Sequence, residues 1–415
     1  MVDIFSRQLD TPGMKSVLFV LNSPTGGAAL SAKAIMKELK ERGYKCYVVC
    51  PPNNYHSPES VYGGVAEEVV SLFMRSWDQQ YRAYWLKRPA LFAYYMLKTR
   101  AHFRPVSTII KLIKKWDIDI VHTNTALTLD GAIAAKITST PHVWHIRETI
   151  GKSELRRWPI PEPMLATIFE ALSTRIIANS EFTARFFIRN GARKKLQTIY
   201  NGITLDDFSP QAQDTRGLRT EWKVSQNEIL FGMVANITSH FKGHDLFIQA
   251  GSDLIKSGID AKFALIGFDP AQQSGYKSDN SYAQSLRKLV RDLDLDSHII
   301  WAGYQDNIPA VMQALDVLVH PCEHESFGRI AAEAAASSKP AIVARGGGIQ
   351  EIVEHDVSGY TVTPKDIDGF AEAMKSLAIN PALRTAFGVA GRQRSETYFS
   401  LDKCVDDVEM LYRSL

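Results

Sequence analysis

Short apolar runs alternate with amphipathic stretches along most of this 415-residue chain. Residues 15–21 and 44–50 are two such runs. The stretch 30–42 between them carries its apolar side chains at helical spacing, and Gly43 then provides a stop signal. This order predicts strand, helix and strand, the unit from which parallel sheets are built. The same order begins again at residues 229–236, so the sequence predicts two α/β domains.

One junction between a strand and a helix carries the clearest chemical pattern. The apolar run 314–319 predicts a buried strand. The alanine-rich stretch that follows predicts a helix with Ser326 as its N-cap. The backbone N–H groups of Ser326, Phe327 and Gly328 would then be available to bind an anion.

Two carboxylates flank this predicted anion site. Glu325 lies at its mouth. Glu333 follows eight residues later, about 12 Å along the axis of an α-helix. Because carboxylates accept hydrogen bonds from hydroxyls, the pattern suits a sugar nucleotide. Its pyrophosphate would lie at the end of the helix and its hydroxyls on the two acids.

The residues around this junction resemble a known signature. Glu325-Ser-Phe-Gly with Glu333, followed by the stretches 339–344 and 346–353, is similar to the E-x7-E signature of the retaining glycosyltransferases of family 4. The resemblance implies an α/β chain of GT-B fold, with two Rossmann-like, doubly wound domains that face each other across a cleft. It also implies that Glu325 hydrogen-bonds donor-sugar hydroxyls and that Glu333 holds the ribose.

The resemblance extends to other parts of the chain. Gly26 and Gly27 match the glycine pair of the family's first loop. Lys242 with Gly243 matches the Lys-Gly that holds the donor phosphates, and His145 matches a histidine close to the donor sugar and the reacting bond. The resemblance thus gives Glu325, His145 and Lys242 as catalytic candidates and Gly26, Gly27, Ser326, Phe327, Gly328 and Glu333 as donor-binding candidates.

Three further positions are candidates because of their place in the chain. His122 lies where a predicted strand gives way to a loop, and ligands bind at the carboxyl ends of strands in open α/β sheets. Asn236 begins the stretch in which the family usually has an arginine, and this chain has none there. Tyr304 lies in the loop that contacts the nucleotide base in the family.

These patterns predict how the chain is divided. Residues 1–13 form a short leader, and residues 14–205 form an N-terminal Rossmann-like domain for the acceptor. Residues 206–395 form a C-terminal Rossmann-like domain for the nucleotide sugar. The resemblance implies that a last helix, residues 396–415, returns to the N-terminal domain.

Composition narrows the class of protein. No run of 18 apolar residues and no signal-peptide pattern is present, which favours a cytoplasmic protein, with a peripheral place on the inner face of the membrane as the open alternative. The four cysteines are scattered, which favours a reducing compartment and no zinc site. A net charge of +3 is too small to indicate a nucleic-acid partner.

Residues 75–116 differ from the rest of the chain. Ten basic residues and one acid are interleaved there with tryptophans, tyrosines and other large apolar side chains. Such a segment suits an anionic membrane surface or a lipid-linked acceptor. It equally suits two helices that cover the first sheet, with the aromatic residues in the core.

The sequence as a whole predicts a retaining glycosyltransferase. It would move a sugar from a nucleotide-diphosphate donor to a hydroxyl of a lipid-linked or polysaccharide acceptor, with no metal and no cofactor. Two alternatives stay open, a nucleotide-sugar epimerase of GT-B fold and a non-catalytic scaffold that binds a sugar nucleotide. A dehydrogenase is disfavoured because the first turn lacks the G-x-G-x-x-G spacing.

Overall fold

The computed structural model describes residues 15–53, 56–77, 79–80, 103–151, 156–158, 160–209, 216–238, 240–272 and 280–415. The predicted leader 1–13 lies outside the described residues, as do residues 81–102 of the basic and aromatic segment. The chain forms two units. The first comprises Met1–Ile177, Phe186–Gln197 and Val405–Leu415, and the second comprises Ala178–Arg185 and Thr198–Cys404. The predicted boundaries at 205 and 395 stay predictions.

Parallel strands form the frame of the first unit. The strands of this half are β1 (Ser16–Val20), β2 (Lys45–Cys50), β3 (Glu68–Ser71), β4 (Gln79–Gln80), β5 (Ile120–Thr123), β6 (His142–Ile146), β7 (Arg156–Arg157), β8 (Arg175–Ala178) and β9 (Leu196–Thr198). Within the described residues, one sheet has the order β3-β2-β1-β5-β6-β8-β9, and β4 pairs with β7. Strand β1 lies between β2 and β5 and is parallel to both.

Helices follow these strands as the apolar pattern predicts. They are α1 (Gly27–Glu41), α2 (Pro58–Tyr62), α3 (Phe103–Lys115), α4 (Asp130–Thr138), α5 (Glu162–Leu172) and α6 (Glu181–Arg189). Helix α1 begins three residues earlier than the predicted start at residue 30, because Gly26 is its N-cap with φ 95°. Few side chains adopt such a backbone conformation, whereas glycine does so without strain.

A second parallel sheet forms the frame of the second unit. Its strands are β10 (Ile229–Val234), β11 (Ala261–Ile266), β12 (Ile299–Gly303), β13 (Val317–His320), β14 (Ala341–Ala344) and β15 (Gly359–Val362). In the described part of the chain their order is β12-β11-β10-β13-β14-β15, and every neighbouring pair is parallel. The predicted strand 314–319 is wrong at its start, because residues 308–314 form a helix.

The remaining helices cover this sheet and end the chain. They are α7 (Arg216–Glu221), α8 (His244–Lys256), α9 (Ser281–Asp292), α10 (Ile308–Ala314), α11 (Arg329–Ala336), α12 (Ile367–Ile379), α13 (Pro381–Tyr398) and α14 (Leu401–Arg413). Successive side chains of a strand point to opposite faces of its sheet. Accordingly, Phe231 and Met233 of β10 enter one buried cluster and Leu230 enters another. Both faces of the sheet are therefore covered, which confirms the predicted doubly wound α/β class.

Candidate functional site

A glycine, Gly328, lies at the junction between β13 and α11 and precedes the first residue of the helix. Helix α11 begins at Arg329, and its N-cap is Gly328 with φ 94°. A Cβ atom at Gly328 would lie 2.5 Å from Ile349 Cγ1. The prediction of Ser326 as N-cap is therefore wrong, because the close approach of Ile349 and the left-handed turn at residue 328 delay the helix.

Two consecutive glycines, Gly347 and Gly348, support the turn that carries Glu325. The backbone N–H of Gly348 donates to the carbonyl of Glu325 at 2.8 Å. A Cβ at Gly347 would lie 2.4 Å from that carbonyl oxygen, and one at Gly348 would lie 2.1 Å from the carbonyl oxygen of Ser326. The loop thus fits against the turn only because it lacks side chains at these positions.

Two side chains converge on the carboxylate of Glu325. The ammonium of Lys242 donates to Glu325 Oε1, and His320 Nε2 lies 3.4 Å from the same oxygen. Burial by itself raises the pKa of Glu325, but Lys242 and His320 outweigh burial and hold this pKa well below its usual range. Burial lowers the pKa of Lys242, and the carboxylate outweighs it and raises that pKa. The pair is therefore an ammonium and a carboxylate at neutral pH.

His320 and Cys322 belong to this site although the sequence analysis left them out. Ligand atoms of His320, Cys322 and Glu325 lie within 4.8 Å of one another, close enough for one metal ion to touch all three. Burial, followed by the nearby Glu325, raises the pKa of the Cys322 thiol to about 11. Because thiolate is the metal-binding form and Lys242 already neutralises the carboxylate, the arrangement favours the ammonium over a metal ion. The signal for His320 was its place at the end of a buried strand, beside the signature.

Glu333 has a different environment from Glu325. It is buried on α11, where Arg329 one turn earlier donates from Nε to its Oε1 at 2.7 Å. Burial raises the pKa of Glu333, and Arg329 only partly offsets this. The predicted contact of Glu333 with a ribose stays a prediction, and any such hydroxyl would share the carboxylate with Arg329.

Backbone and side-chain contacts hold the residues just after Glu325. The hydroxyl of Ser180 donates to the carbonyl of Ser326 at 2.5 Å, and the amide of Asn179 donates to the Ser326 hydroxyl at 3.3 Å. Phe327 is buried in the core beneath α11. The predicted donor-binding roles of Ser326, Phe327 and Gly328 stay predictions, and Phe327 can contribute only through its backbone.

The first unit contains its own buried polar cluster. His122 on β5 and His145 on β6 are both fully buried, and His122 Nε2 lies 3.2 Å from His145 Nδ1. Burial is the main reason that the pKa of each histidine is far below its usual value, and the guanidinium of Arg147 adds to the effect. Both rings are therefore neutral. The structure brings the two predicted histidines together, and their roles stay predictions.

The C-terminal helix contributes a residue that the sequence analysis missed. Tyr412 places its hydroxyl 2.5 Å from His122 Nδ1. The two residues are 290 positions apart in the chain, so no local pattern could have indicated the contact.

The remaining candidates lie at the surface of their units. Gly26 and Gly27 are exposed at the start of α1, with no atom within 4 Å of a Cβ at either position among the described residues. Asn236 is exposed and accepts from the backbone N–H of Phe268 at 2.9 Å. Tyr304 is 66% exposed after β12. All four are accessible to a ligand, and their functional roles stay predictions.

The described part of the basic and aromatic segment packs into the first unit. Trp77 is buried, and its indole N–H donates to the carbonyl of Ala126 at 2.6 Å. Helix α3 buries Val106, Ile109 and Ile113 in the core and exposes its lysines. Trp77, Val106, Ile109 and Ile113 therefore belong to the core, as the second of the two sequence interpretations expects, whereas Phe103 at the start of α3 is 72% exposed. No helix in the described ranges is both long enough and apolar enough to span a bilayer.

Family models match both halves of the chain. Glycosyltransferase Family 4 matches residues 25–207, and Glycosyl transferases group 1 matches residues 214–394. The chain belongs to glycosyltransferase family 4. Its two parallel-sheet units are those of the GT-B fold, as the resemblance of the E-x7-E region implied.

Curated proteins similar to this family 4 chain include several glycosyltransferases. It is 27% identical over 53% of its length to N-acetyl-alpha-D-glucosaminyl L-malate synthase of Bacillus anthracis. It is 26% identical over 66% of its length to D-inositol 3-phosphate glycosyltransferase of Saccharomonospora viridis. These matches span 54% and 64% of the two relatives, less than two thirds of each. A galactosyltransferase of Escherichia coli, UDP-Gal:alpha-D-GlcNAc-diphosphoundecaprenol alpha-1,3-galactosyltransferase, is 24% identical over 74% of this chain and 78% of its own.

Solved structures of the same fold cover almost the whole family 4 chain. HepE of Anabaena, in complex with UDP and glucose, superposes with a TM-score of 0.78 and 22% identity, over 97% of this chain and 100% of its own. WaaG, a glycosyltransferase of lipopolysaccharide biosynthesis, superposes with a TM-score of 0.66 and 15% identity, over 94% and 99%.

Proposed function

We propose that this protein transfers a sugar from a nucleotide-diphosphate donor to an acceptor hydroxyl, with retention of the anomeric configuration. The observation that carries the proposal is the contact of Lys242 and His320 with Glu325, in the turn that precedes helix α11. Family membership supplies the reaction class.

Each charged group has a definite task in this proposal. The diphosphate gains negative charge as it leaves, so catalysis needs positive potential that is already in place. Lys242 and the backbone around Gly328 supply it, and Lys242 exchanges its carboxylate partner for a phosphate oxygen. Glu325 is then free to accept hydrogen bonds from sugar hydroxyls. In this proposal the reaction needs no metal, so we expect EDTA to leave its rate unchanged.

The substrates are proposed from the relatives. The solved neighbour HepE holds UDP and glucose, and the E. coli relative takes UDP-Gal to a diphosphoundecaprenol-linked sugar. We therefore place a UDP-sugar first among the donors and a lipid-linked or other glycan hydroxyl first among the acceptors. A peripheral position on the cytoplasmic face of the membrane belongs to the same proposal, with the exposed lysines of α3 near anionic lipid.

Two steps test the transferase proposal. The first is a thermal-shift screen with UDP, GDP, ADP and their common sugars, since a ligand that binds only the native state raises the melting temperature. The second incubates the stabilising sugar nucleotide, carrying a radiolabelled sugar, with undecaprenyl-diphosphate-linked GlcNAc and with oligosaccharides. We expect label in the acceptor, in an anomeric configuration that NMR identifies as retained.

Glu325→Gln is the decisive variant. It keeps the shape but removes the charge that faces Lys242 and the sugar hydroxyls, and we expect kcat to fall about 100-fold. Glu323→Gln is the control, since Glu323 lies in the same turn but contacts His324 and Lys365 instead. Nucleotide binding without transfer in any assay would favour the scaffold. An altered free sugar nucleotide would favour the epimerase. An active, folded Glu325→Gln variant would contradict the assignment.

A further inference from the structure

A chain of hydrogen bonds runs through the buried cluster of the first unit. The Tyr412 hydroxyl lies 2.5 Å from His122 Nδ1, and His122 Nε2 lies 3.2 Å from His145 Nδ1. The far nitrogen, His145 Nε2, is buried, and among the residues that the structure describes no hydrogen-bond partner reaches it. The series of hydrogen bonds therefore ends at His145 Nε2, which has no partner among the described residues.

The chemistry of the three groups gives this chain a direction. A neutral imidazole has one N–H donor and one acceptor nitrogen, so the proton on one ring determines the proton on the next. A phenol O–H is acidic, with a pKa of about 10, and the bare imidazole nitrogen is a better acceptor than a phenol oxygen. Tyr412 thus donates to His122 Nδ1, which leaves the proton of His122 on Nε2. That proton is donated to His145 Nδ1, so the remaining proton of His145 is on Nε2.

We propose that Tyr412, acting through His122, holds His145 in the tautomer that carries its proton on Nε2. Tyr412 and His122 are positioning residues. The task of the His145 Nε2–H group rests on the proposed function. This N–H donates a hydrogen bond to an oxygen of the donor sugar or of its diphosphate. No proton is transferred, because a neutral N–H donor suffices for such a contact.

The surroundings keep this arrangement in place. Phe19 stacks on the His122 ring with centroids 4.9 Å apart. The carbonyl of Tyr412 accepts from the Lys15 ammonium at 2.9 Å. Arg42, the C-cap of α1, pairs with Asp406 and Glu409 on the last helix. The His122 ring is thus held by stacking, and Tyr412 is held through its backbone and its helix.

The charged neighbours oppose a second proton on the cluster. Arg147 is buried nearby, with its Nε donating to Asn124 Oδ1 at 2.9 Å. Its positive charge and that of any protonated His142 disfavour an imidazolium at His122. Hydrogen bonds in a buried chain also strengthen one another, so a single tautomer is favoured over a mixture.

Nitrogen NMR of the ring tests the proposal without any reaction. The full-length protein is labelled with 15N-histidine, and the His145 signals are assigned by their loss in His145→Gln. We expect a protonated Nε2 and a bare Nδ1 at pH 7. Tyr412→Phe removes only the hydroxyl, and we expect the His145 signals to move to values averaged between the two tautomers.

Three further variants separate tautomer control from general damage. Tyr44→Phe removes a hydroxyl that contacts Glu409 on the same helix, and we expect its His145 signals to stay as in the wild type. His122→Gln keeps an amide N–H near the position of Nε2, so we expect it to preserve the tautomer, whereas His122→Phe loses it. The melting temperature of each variant shows that it is folded.

Kinetics then connect the tautomer to the proposed reaction. We expect Tyr412→Phe to lower kcat two- to tenfold at an unchanged KM for the donor, and His122→Gln to retain more activity than His122→Phe. A proton on His145 Nδ1 in the wild type, or signals unchanged in Tyr412→Phe, would overturn the proposal. If the tautomer shifts as expected but no sugar is transferred by the wild type, the proposed function fails and the tautomer control stands.

Discussion

Single residues in this protein are defined by what surrounds them as much as by their own chemistry. Glu325 and Glu333 are the two acids of one signature, yet Lys242 and His320 lower the pKa of the first and burial raises that of the second. The same side chain therefore has two different environments eight positions apart. One contacts the ammonium of Lys242, while the other is held by Arg329.

The buried histidines make the first unit sensitive to acid. Burial lowers the pKa of His142 to about 3, and it also lowers those of His122 and His145. Between the lowered pKa of each histidine in the native chain and about 6.5, its value in the unfolded chain, the unfolded chain binds protons that the native chain does not. Stability from these groups is therefore complete above pH 6.5 and is lost as the pH falls below it, by about 2 kcal/mol at pH 5 for His142 alone.

A pH series of melting temperatures checks this expectation. We expect the wild type to melt at a clearly lower temperature at pH 5 than at pH 7. His142→Gln removes one of the three groups, so its melting temperature should change less steeply with pH. His56→Gln changes an exposed residue and should leave the slope unaltered. A wild-type melting temperature that is the same at both values would contradict the reasoning.

At the scale of elements, the loop that contains Gly347 and Gly348 is positioned by close backbone contacts that side chains would block. The glycines at 347 and 348 lie against the carbonyls of Glu325 and Ser326. On the neighbouring helix α6, the carboxylate of Glu351 accepts from the backbone N–H groups of Glu181 and Phe182 at 2.9 and 2.6 Å. A carboxylate there satisfies N–H groups that have no partner within their own helix. One loop therefore holds both the turn of Glu325 and the start of a helix.

Gly348→Ala tests the role of this loop. The new Cβ would lie 2.1 Å from the carbonyl oxygen of Ser326, so the turn or the loop must move. We expect a lower melting temperature, by several degrees, and a weaker thermal shift with the sugar nucleotide that stabilises the wild type. Gly217→Ala in the same unit is the control, because its Cβ would have no atom of the described residues within 4 Å. A Gly348→Ala protein that matches this control would show that the contact is dispensable.

At the scale of the whole molecule, the distribution of charged residues is more informative than the net charge of +3. Helix α3 turns its apolar face into the core and leaves Lys111 and Lys114 exposed. Lys115 is paired with Glu68 at 2.9 Å. The membrane contact in our proposal is thus mainly electrostatic, since Val106, Ile109 and Ile113 already pack in the core, although Phe103 at the start of the helix is exposed. Exposed lysines near an anionic surface contribute about 1 kcal/mol each.

Vesicle binding measures that contribution. We expect the protein to bind vesicles of phosphatidylglycerol more tightly than vesicles of phosphatidylcholine at low salt. The double variant Lys111→Glu/Lys114→Glu should lose at least tenfold in affinity for the anionic vesicles. Lys33→Glu/Lys37→Glu changes the net charge equally on α1, where both lysines are exposed, and should lose much less. Equal losses would mean that net charge rather than α3 governs binding.

Much of this protein can be predicted from local patterns. Alternating apolar runs and helical spacing predict both parallel sheets, because burial on two faces requires strands that are apolar throughout. The signature from Glu325 to Glu333 predicts the family and the fold. The glycine of the first loop predicts where a helix begins only approximately, since α1 starts at Gly27 rather than at residue 30.

Only the tertiary structure decided the rest, and the reason is distance along the chain. Helix α11 starts after Gly328 because Ile349, twenty-one residues later, packs against that position. His320 gains its significance from the Lys242–Glu325 pair, and Tyr412 reaches a histidine 290 positions away. Sequence patterns report the preferences of neighbouring residues, whereas the tautomer of His145 and the charge of Glu325 depend on partners that only folding brings within hydrogen-bond distance.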